Sequence, residues 1–294
     1  MAGRSVATYQ ERLAVELSDI QDEFVAILRD SSIYYSDPNA QQSAVFFMAP
    51  AVYHWSPSTE ENTGRRMRLM GRLRDWVIRY RLLFPHPTPD VKNRLEKPVV
   101  RLEAFLERKS GRSAPQSIEA AIERVADDIA TLQKLSETLP SDPWPVRVVV
   151  DTNVLIDNPD VTVFSSAFPT GYLVHLLPVV LRELDELKRS GRTQELRENA
   201  HRASRRLKGI RNDAQSPFEI KVQGKIYVHF DHIEPKDDRL PSWLDLTVPD
   251  DRFLASALLL QSEHPGSAVF VVTGDVVLQT KLFAVQLPFV DPDM

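Results

Sequence analysis

The chain predicts an α/β domain with a parallel sheet, preceded by an all-α helical bundle, on three observations. In the second half, short β-branched runs alternate with helical segments, the pattern of a parallel sheet covered by helices. In the first half, apolar residues recur at steps of three and four. Between the halves, Leu139-Pro140-Ser141-Asp142-Pro143-Trp144-Pro145 carries prolines that remove backbone donors and disfavour helix. The expected domains are therefore residues 1–140 and 146–294.

The bundle helices follow from their stripes: Tyr9, Leu13, Leu17, Ile20, Phe24, Ile27 and Leu28, then Leu69 to Phe84, then Leu95 to Leu106, then Ile118 to Leu135. The segment Tyr34–Pro57 is turn-rich and aromatic, and its short apolar run suits either helix or strand. In the second half, strands are expected at Arg147–Asp151, Tyr172–Leu177, Ala268–Thr273 and Leu287–Val290. Helices are expected to start near Pro178, Thr193, Asp250 and Asp275. Phe218–Val222 and Lys225–His229, separated by Gln223-Gly224, read as a hairpin accessory to the sheet.

Composition narrows the chemistry. The chain has no cysteine, so a metal must be bound by oxygen or imidazole, and hard cations lead. The net charge of −5 gives no whole-molecule attraction to nucleic acid, which local basic patches would have to supply. No apolar run approaches a membrane span and the N-terminus lacks a signal-peptide core, so the expected compartment is the cytoplasm, with no membrane partner.

Acidic residues recur in four ordered segments: Asp151 in VVVDTNVLI (148–156), Glu183 in PVVLRELDELK (178–188), Asp251 in VPDDRFLASAL (248–258) and Asp275 in VVTGDVVLQTK (271–281). Two follow predicted strands, and two sit early on predicted helices. In an open parallel sheet all four can meet at the carboxyl edge, where ligands bind. Gathered carboxylates repel one another, and a divalent cation resolves the repulsion; oxygen-only ligands favour Mg²⁺ or Mn²⁺, which suits phosphodiester cleavage. The pattern reads as a metal-dependent nuclease. Taken singly, Asp151, Asp250, Asp251 and Asp275 also suit helix N-caps, and Glu183, Asp185 and Glu186 suit a solvated helix face.

These four segments, in this order, resemble a PIN domain of the PilT N-terminus class over the second half of the chain. The resemblance implies a three-layer α/β/α fold and Mg²⁺- or Mn²⁺-dependent, mostly single-strand-directed ribonuclease activity; metal-activated water in an endonuclease would leave a 5′-phosphate and a 3′-hydroxyl. It implies Asp151, Glu183, Asp251 and Asp275 as catalytic metal ligands, with Asn153 and Thr273 in support. Asp250 is the alternate to Asp251, which is preferred because Phe253, Leu254, Ala257 and Leu258 give its helix an apolar face. Arg182 and Gly274 depart from the family pattern without removing a ligand. The longer form resembles members linked to RNA quality control or processing. A toxin with an antitoxin or regulatory partner, an antiviral effector, a homo-oligomer, a non-catalytic RNA-binding scaffold and a structure-specific DNA nuclease stay open.

Basic residues offer two candidate surfaces. Arg197, Arg202, Arg205, Arg206 and Lys208 cluster on one predicted helix, suiting phosphates or an exposed face balanced by Glu195 and Glu198. Arg65, Arg66, Arg68, Arg72, Arg74, Arg79 and Arg81 stand with few acids nearby in sequence. Arg81 and His86 also have the spacing of HEPN ribonucleases, but the prolines at 85 and 87 argue against the helix that motif needs. His54, His175, His201, His229, His232 and His264 show no metal-ligand spacing and read as ordinary. The helical domain is expected to select substrate or partner, or to restrain the nuclease.

Overall fold

The computed structural model describes residues 6–37, 52–109, 114–212, 219–236 and 240–292. The chain divides into two compact units, Glu11–Leu139 and a second of Met1–Gln10 with Pro140–Met294. Among the described residues no helix is long and apolar enough to cross a membrane.

Four helices form the first unit: α1 (Tyr9–Arg29), α2 (Glu60–Leu82), α3 (Pro89–Leu106) and α4 (Ile118–Ser136). Thr59, Thr88 and Ser117 cap α2, α3 and α4, each hydroxyl accepting a backbone N–H of the first turn. The predicted stripes are buried, with Leu17, Ile20, Leu69, Leu73, Leu102 and Leu132 almost fully inside. Polar ties also cross this core: Trp76 Nε1 donates to Leu13 O at 3.0 Å, and the Tyr80 hydroxyl donates to Leu132 O at 2.7 Å. Tyr34–Pro57 supplies a small antiparallel ladder, β1 (Ile33–Ser36) with β2 (Val52–Trp55); its apolar run lies outside the described residues.

Six of the seven arginines of α2 are engaged rather than forming the open basic face that local sequence suggested, and Arg68 is exposed. Arg65 pairs with Asp30, Arg72 with Glu23, Arg79 with Glu16, Arg74 with Glu103 and Arg81 with Glu96, and Arg66 donates to Leu106 O. Their partners sit on α1, at its C-terminal end or on α3, remote in sequence. Arg81 is thus engaged, and His86 lies past the end of α2, so the HEPN-like spacing forms no helical site.

The second unit is built on a six-stranded sheet in the order β5-β6-β4-β3-β7-β8. Its strands are β3 (Val146–Val150), β4 (Tyr172–Leu176), β5 (Ile220–Gln223), β6 (Ile226–Phe230), β7 (Ala268–Val272) and β8 (Phe289–Val290). Every residue of β3 and β4 is buried, and both read as apolar runs interrupted by Arg147 and His175. All neighbours are parallel except β5 and β6, whose hairpin turns at Gly224 with φ of +54°, a backbone angle that favours glycine. The hairpin is not an accessory: β6 pairs with β4 in parallel and extends the main sheet. Phe218, the first residue expected in β5, lies outside the described residues.

Helices α6 (Pro178–Ser190), α7 (Gln194–Asn212), α8 (Pro249–Glu263) and α9 (Val276–Ala284) start within a residue or so of their expected positions. A six-residue α5 (Thr152–Asp157) was not expected, and packs with α6 and α7.

Candidate active site

Chain order reverses at β3: β4 lies on one side of it and β7 on the other. A crevice opens at such a point beyond the carboxyl ends of the strands. Asp151 follows β3 and Asp275 follows β7 by three residues. Both line one cavity of about 400 Å³, with Thr152, Asn153, Glu183, Glu186, Asp250 and Arg192.

Thr273 joins the two strand-end acids. Its hydroxyl, fully buried, donates to Asp151 Oδ2 at 3.0 Å and accepts the Asp275 N–H at 3.1 Å. Asp151 takes the N-cap position of α5 without a side-chain cap bond. Asp275 does cap its helix, Oδ1 accepting Val277 N–H at 2.7 Å and Leu278 N–H at 3.0 Å. The cap and site readings of Asp275 are therefore compatible. Asn153 is exposed on the cavity wall.

Glu183, half-buried on α6, accepts a short hydrogen bond from the Thr152 hydroxyl. Its local rivals separate: Asp185 pairs with Lys188, while Glu186 reaches the cavity. Thr152 is the residue that sequence reasoning passed over; the signal was a hydroxyl directly after Asp151, where a helix could begin.

At the third position the two neighbouring acids part. Asp250 lines the cavity. Asp251 is buried away from it, accepting Lys281 Nζ at 2.6 Å and the Asp245 N–H at 2.9 Å. Burial would raise the Asp251 carboxyl, but the bonds from Lys281 and Asp245 prevail and hold it below the usual carboxylate range. Lys281 Nζ also stands 3.9 Å from Asp250, so one lysine reaches both acids, and Asp250 is the one of the two that lines the cavity.

Asp151 and Glu183 show the opposite electrostatics. Burial raises the Asp151 carboxyl, and the charges of Asp275 and Asp250 add to this against the Thr273 hydroxyl. Burial raises Glu183 likewise, with the charges of Asp151, Asp250 and Glu186 adding against the Thr152 bond. No group of three metal-ligating side chains stands ready to hold an ion among the described residues. The donors nevertheless fit a hard divalent cation: they are all oxygens, they destabilise one another's charge, and Arg192 is the one basic side chain among the lining residues.

On α7, Arg197 Nη1 donates to Gly191 O at 2.5 Å, and Arg202 reaches Asp157 O at 3.3 Å at the end of α5. Arg206 stands 3.8 Å from Asp160, and Lys208 lines a separate cavity with Leu184 and Phe230. Arg197 and Arg202 thus brace the elements that frame the acidic cavity.

A further cavity of about 240 Å³ shares no lining residue with the first and gathers Arg147, His175, His229, Asp231, Glu263 and His264. Arg147 Nη1 donates to His175 Nε2 at 2.8 Å, so the other ring nitrogen carries the proton and donates to Asp231 at 3.0 Å. Arg147 also pairs with Asp142, which holds His264 Nδ1 at 2.8 Å. Sequence spacing could not show this grouping, because β3, β4, β6 and α8 each contribute to it.

Residues 148–291 match the family model described as PIN domain. A search of curated proteins found no match to the chain. PIN domains are generally nucleases, usually dependent on divalent metals.

Proposed function

From the premise that residues 148–291 are a PIN domain, we propose that the protein is a divalent-metal-dependent endoribonuclease acting on single-stranded or structured RNA. The observation that carries this reading is one buried hydroxyl, Thr273, bonded to both Asp151 and Asp275 beside a cavity that Glu183 and Asp250 also line. Asp151, Glu183, Asp250 and Asp275 would hold Mg²⁺ or Mn²⁺. When bound, such an ion supplies charge neutralisation at the phosphodiester and activation of the attacking water.

The protein's own contribution is preorganisation. Thr273 fixes Asp151 by a bond from a side chain with no solvent exposure. Thr152 orients Glu183, and the first-turn amides of α9 restrain one oxygen of Asp275. Asn153, on the wall, can offer its amide to a ribose or phosphate oxygen. The helical unit is assigned substrate or partner selection.

The test is cleavage of end-labelled single-stranded RNA by the full chain in Mn²⁺, in EDTA and with Asp151→Asn, beside a DNA oligonucleotide of matched sequence. Cleavage of RNA that needs both the metal and Asp151 supports the reading, and preference for the DNA strand would move the substrate to DNA. Intact RNA and DNA, with no Mn²⁺ binding by calorimetry, would overturn it and leave a non-catalytic scaffold.

A further inference from the structure

The acidic cavity has one cationic side chain in its wall, and the surrounding structure keeps that side chain unpaired. Arg192 lies in the turn between α6 and α7, exposed, and lines the cavity with Glu183, Glu186, Asp250, Asp151 and Asp275. Among the described residues it makes no hydrogen bond or ion pair. Two lysines nearby behave differently: Lys281 is closed onto Asp251 with Asp250 at 3.9 Å, and Lys188 onto Asp185. A flexible arginine near five carboxylates that pairs with none has its guanidinium open to another anion.

The turn that carries Arg192 is fixed from three directions. Gly191 N–H donates to Leu187 O at 3.0 Å, and Gly191 O accepts Arg197 Nη1 at 2.5 Å. On the far side, Thr193 Oγ1 accepts the Leu196 N–H at 3.1 Å. No side chain fits at Gly191, where a Cβ would stand 2.6 Å from Leu187 O and 3.0 Å from Arg197 Cγ. Arg192 thus projects from a rigid base, so that less freedom is lost when it binds.

A polyanion approaching a rim of carboxylates meets repulsion unless a cation offsets it. A guanidinium matches the two non-bridging oxygens of a phosphodiester with a pair of parallel N–H donors. Building on the nuclease reading, we infer that Arg192 is the substrate-positioning residue of this cavity, holding a backbone phosphate next to the scissile one in single-stranded RNA. The arginines of α7 then act behind it: Arg197 locks its turn and Arg202 braces the end of α5.

The experiment measures anisotropy of a fluorescein-labelled single-stranded RNA oligonucleotide with full-length protein across a salt series, using Asp151→Asn as the non-cleaving parent. Adding Arg192→Ala is expected to weaken binding about tenfold, the loss of one charge-assisted contact. The slope of log affinity against log salt is expected to fall by about 0.7, one phosphate on a single strand. Arg192→Lys is expected to restore the slope, since it keeps the charge, but only part of the affinity, since it lacks the fork. In the otherwise wild-type enzyme, Arg192→Ala should raise KM more than it lowers kcat, with Mn²⁺ binding and melting temperature unchanged.

An unchanged affinity and salt slope in the parent background would overturn the inference, even where wild-type protein cleaves RNA normally. A normal salt effect at Arg192 in a protein that never cleaves would uphold the contact and refute the nuclease reading. Failure of the parent to bind RNA at all would overturn the inference, while the nuclease reading is decided separately by cleavage with the wild-type protein.

Discussion

Replacing Thr273 with valine retains most of the shape of a fully buried side chain and deletes a hydroxyl that serves two acids at once. The bond to the Asp151 carboxylate, at 3.0 Å, has a charged acceptor, for which removal costs about 1.5–3 kcal/mol. The bond from the Asp275 N–H, at 3.1 Å, is neutral and adds about 1 kcal/mol. Thr273→Val is therefore expected to destabilise the second unit by about 3 kcal/mol, and Thr273→Ser by much less, because it keeps the hydroxyl. In an Asp151→Asn background the acceptor is neutral, so the cost of Thr273→Val should shrink by about 1 kcal/mol. The assay is native-state hydrogen exchange of the β3 and β7 amides, which reports on this sheet rather than on the helical unit. An equal cost in both backgrounds would refute the argument, since it would mean that the hydroxyl does not act on the charge of Asp151. Loss of this support should also weaken Mn²⁺ binding about 10- to 100-fold, as seen when groups behind metal ligands are removed.

Two further outcomes are expected. Asp250→Asn should weaken Mn²⁺ binding in calorimetry, whereas Asp251→Asn should leave it nearly intact and lower the melting temperature by disrupting the bond with Lys281; the reverse pattern would restore Asp251 as a ligand. The histidine-rich cavity should make stability fall as pH drops from about 7 through 6.5, the ordinary histidine value. There His175 and His264 are held below that value, by burial first and by the Arg147 charge, with Asp231 and Asp142 opposing at their respective partners; His229 faces His175, and Glu263 lines the same cavity. The unfolded chain then binds protons before the folded one does, so acid favours unfolding. Asp151 and Glu183, raised in the folded state, work in the opposite direction at lower pH. The clean readout is therefore the difference in denaturant midpoint between wild type and His264→Gln, which should narrow as the pH is lowered from 7.5 to 5.5.

Much of this arrangement was legible in the sequence because the relevant signals are local. Val146–Val150 and Tyr172–Leu176 are buried on both faces, so their composition alone marked them as strands. Asp151 and Asp275 stood out because each follows a recognisable strand, and Glu183 because it lies within the apolar-patterned segment that forms α6. The choice between Asp250 and Asp251 was not legible, and α8 explains why. Residues Phe253 through Leu258 are all buried, so an apolar face exists on every side of that helix and periodicity does not say which direction faces the crevice. Asp251 was preferred as the ligand on account of that apolar face; in the structure it is bonded to Lys281, while Asp250 lines the cavity. The arginines of α2 were misread for a complementary reason: their acids, Glu16, Glu23 and Asp30 on one side and Glu96 and Glu103 on the other, lie at sequence distances that no local window spans. The short α5 escaped because six residues hold too little of a helical period to separate it from the strand before it.

Asp275 links the chemistry of the cavity to the end of a helix. One of its oxygens closes the first turn of α9 through Val277 and Leu278, while the residue lines the acidic cavity. Anything that draws this carboxylate more firmly into one position also slows fraying of that turn, and fraying in turn loosens the carboxylate. Occupancy of the cavity is thereby written into the exchange rates of two backbone amides, which gives an NMR reporter of ligand loading that needs no substrate and no turnover.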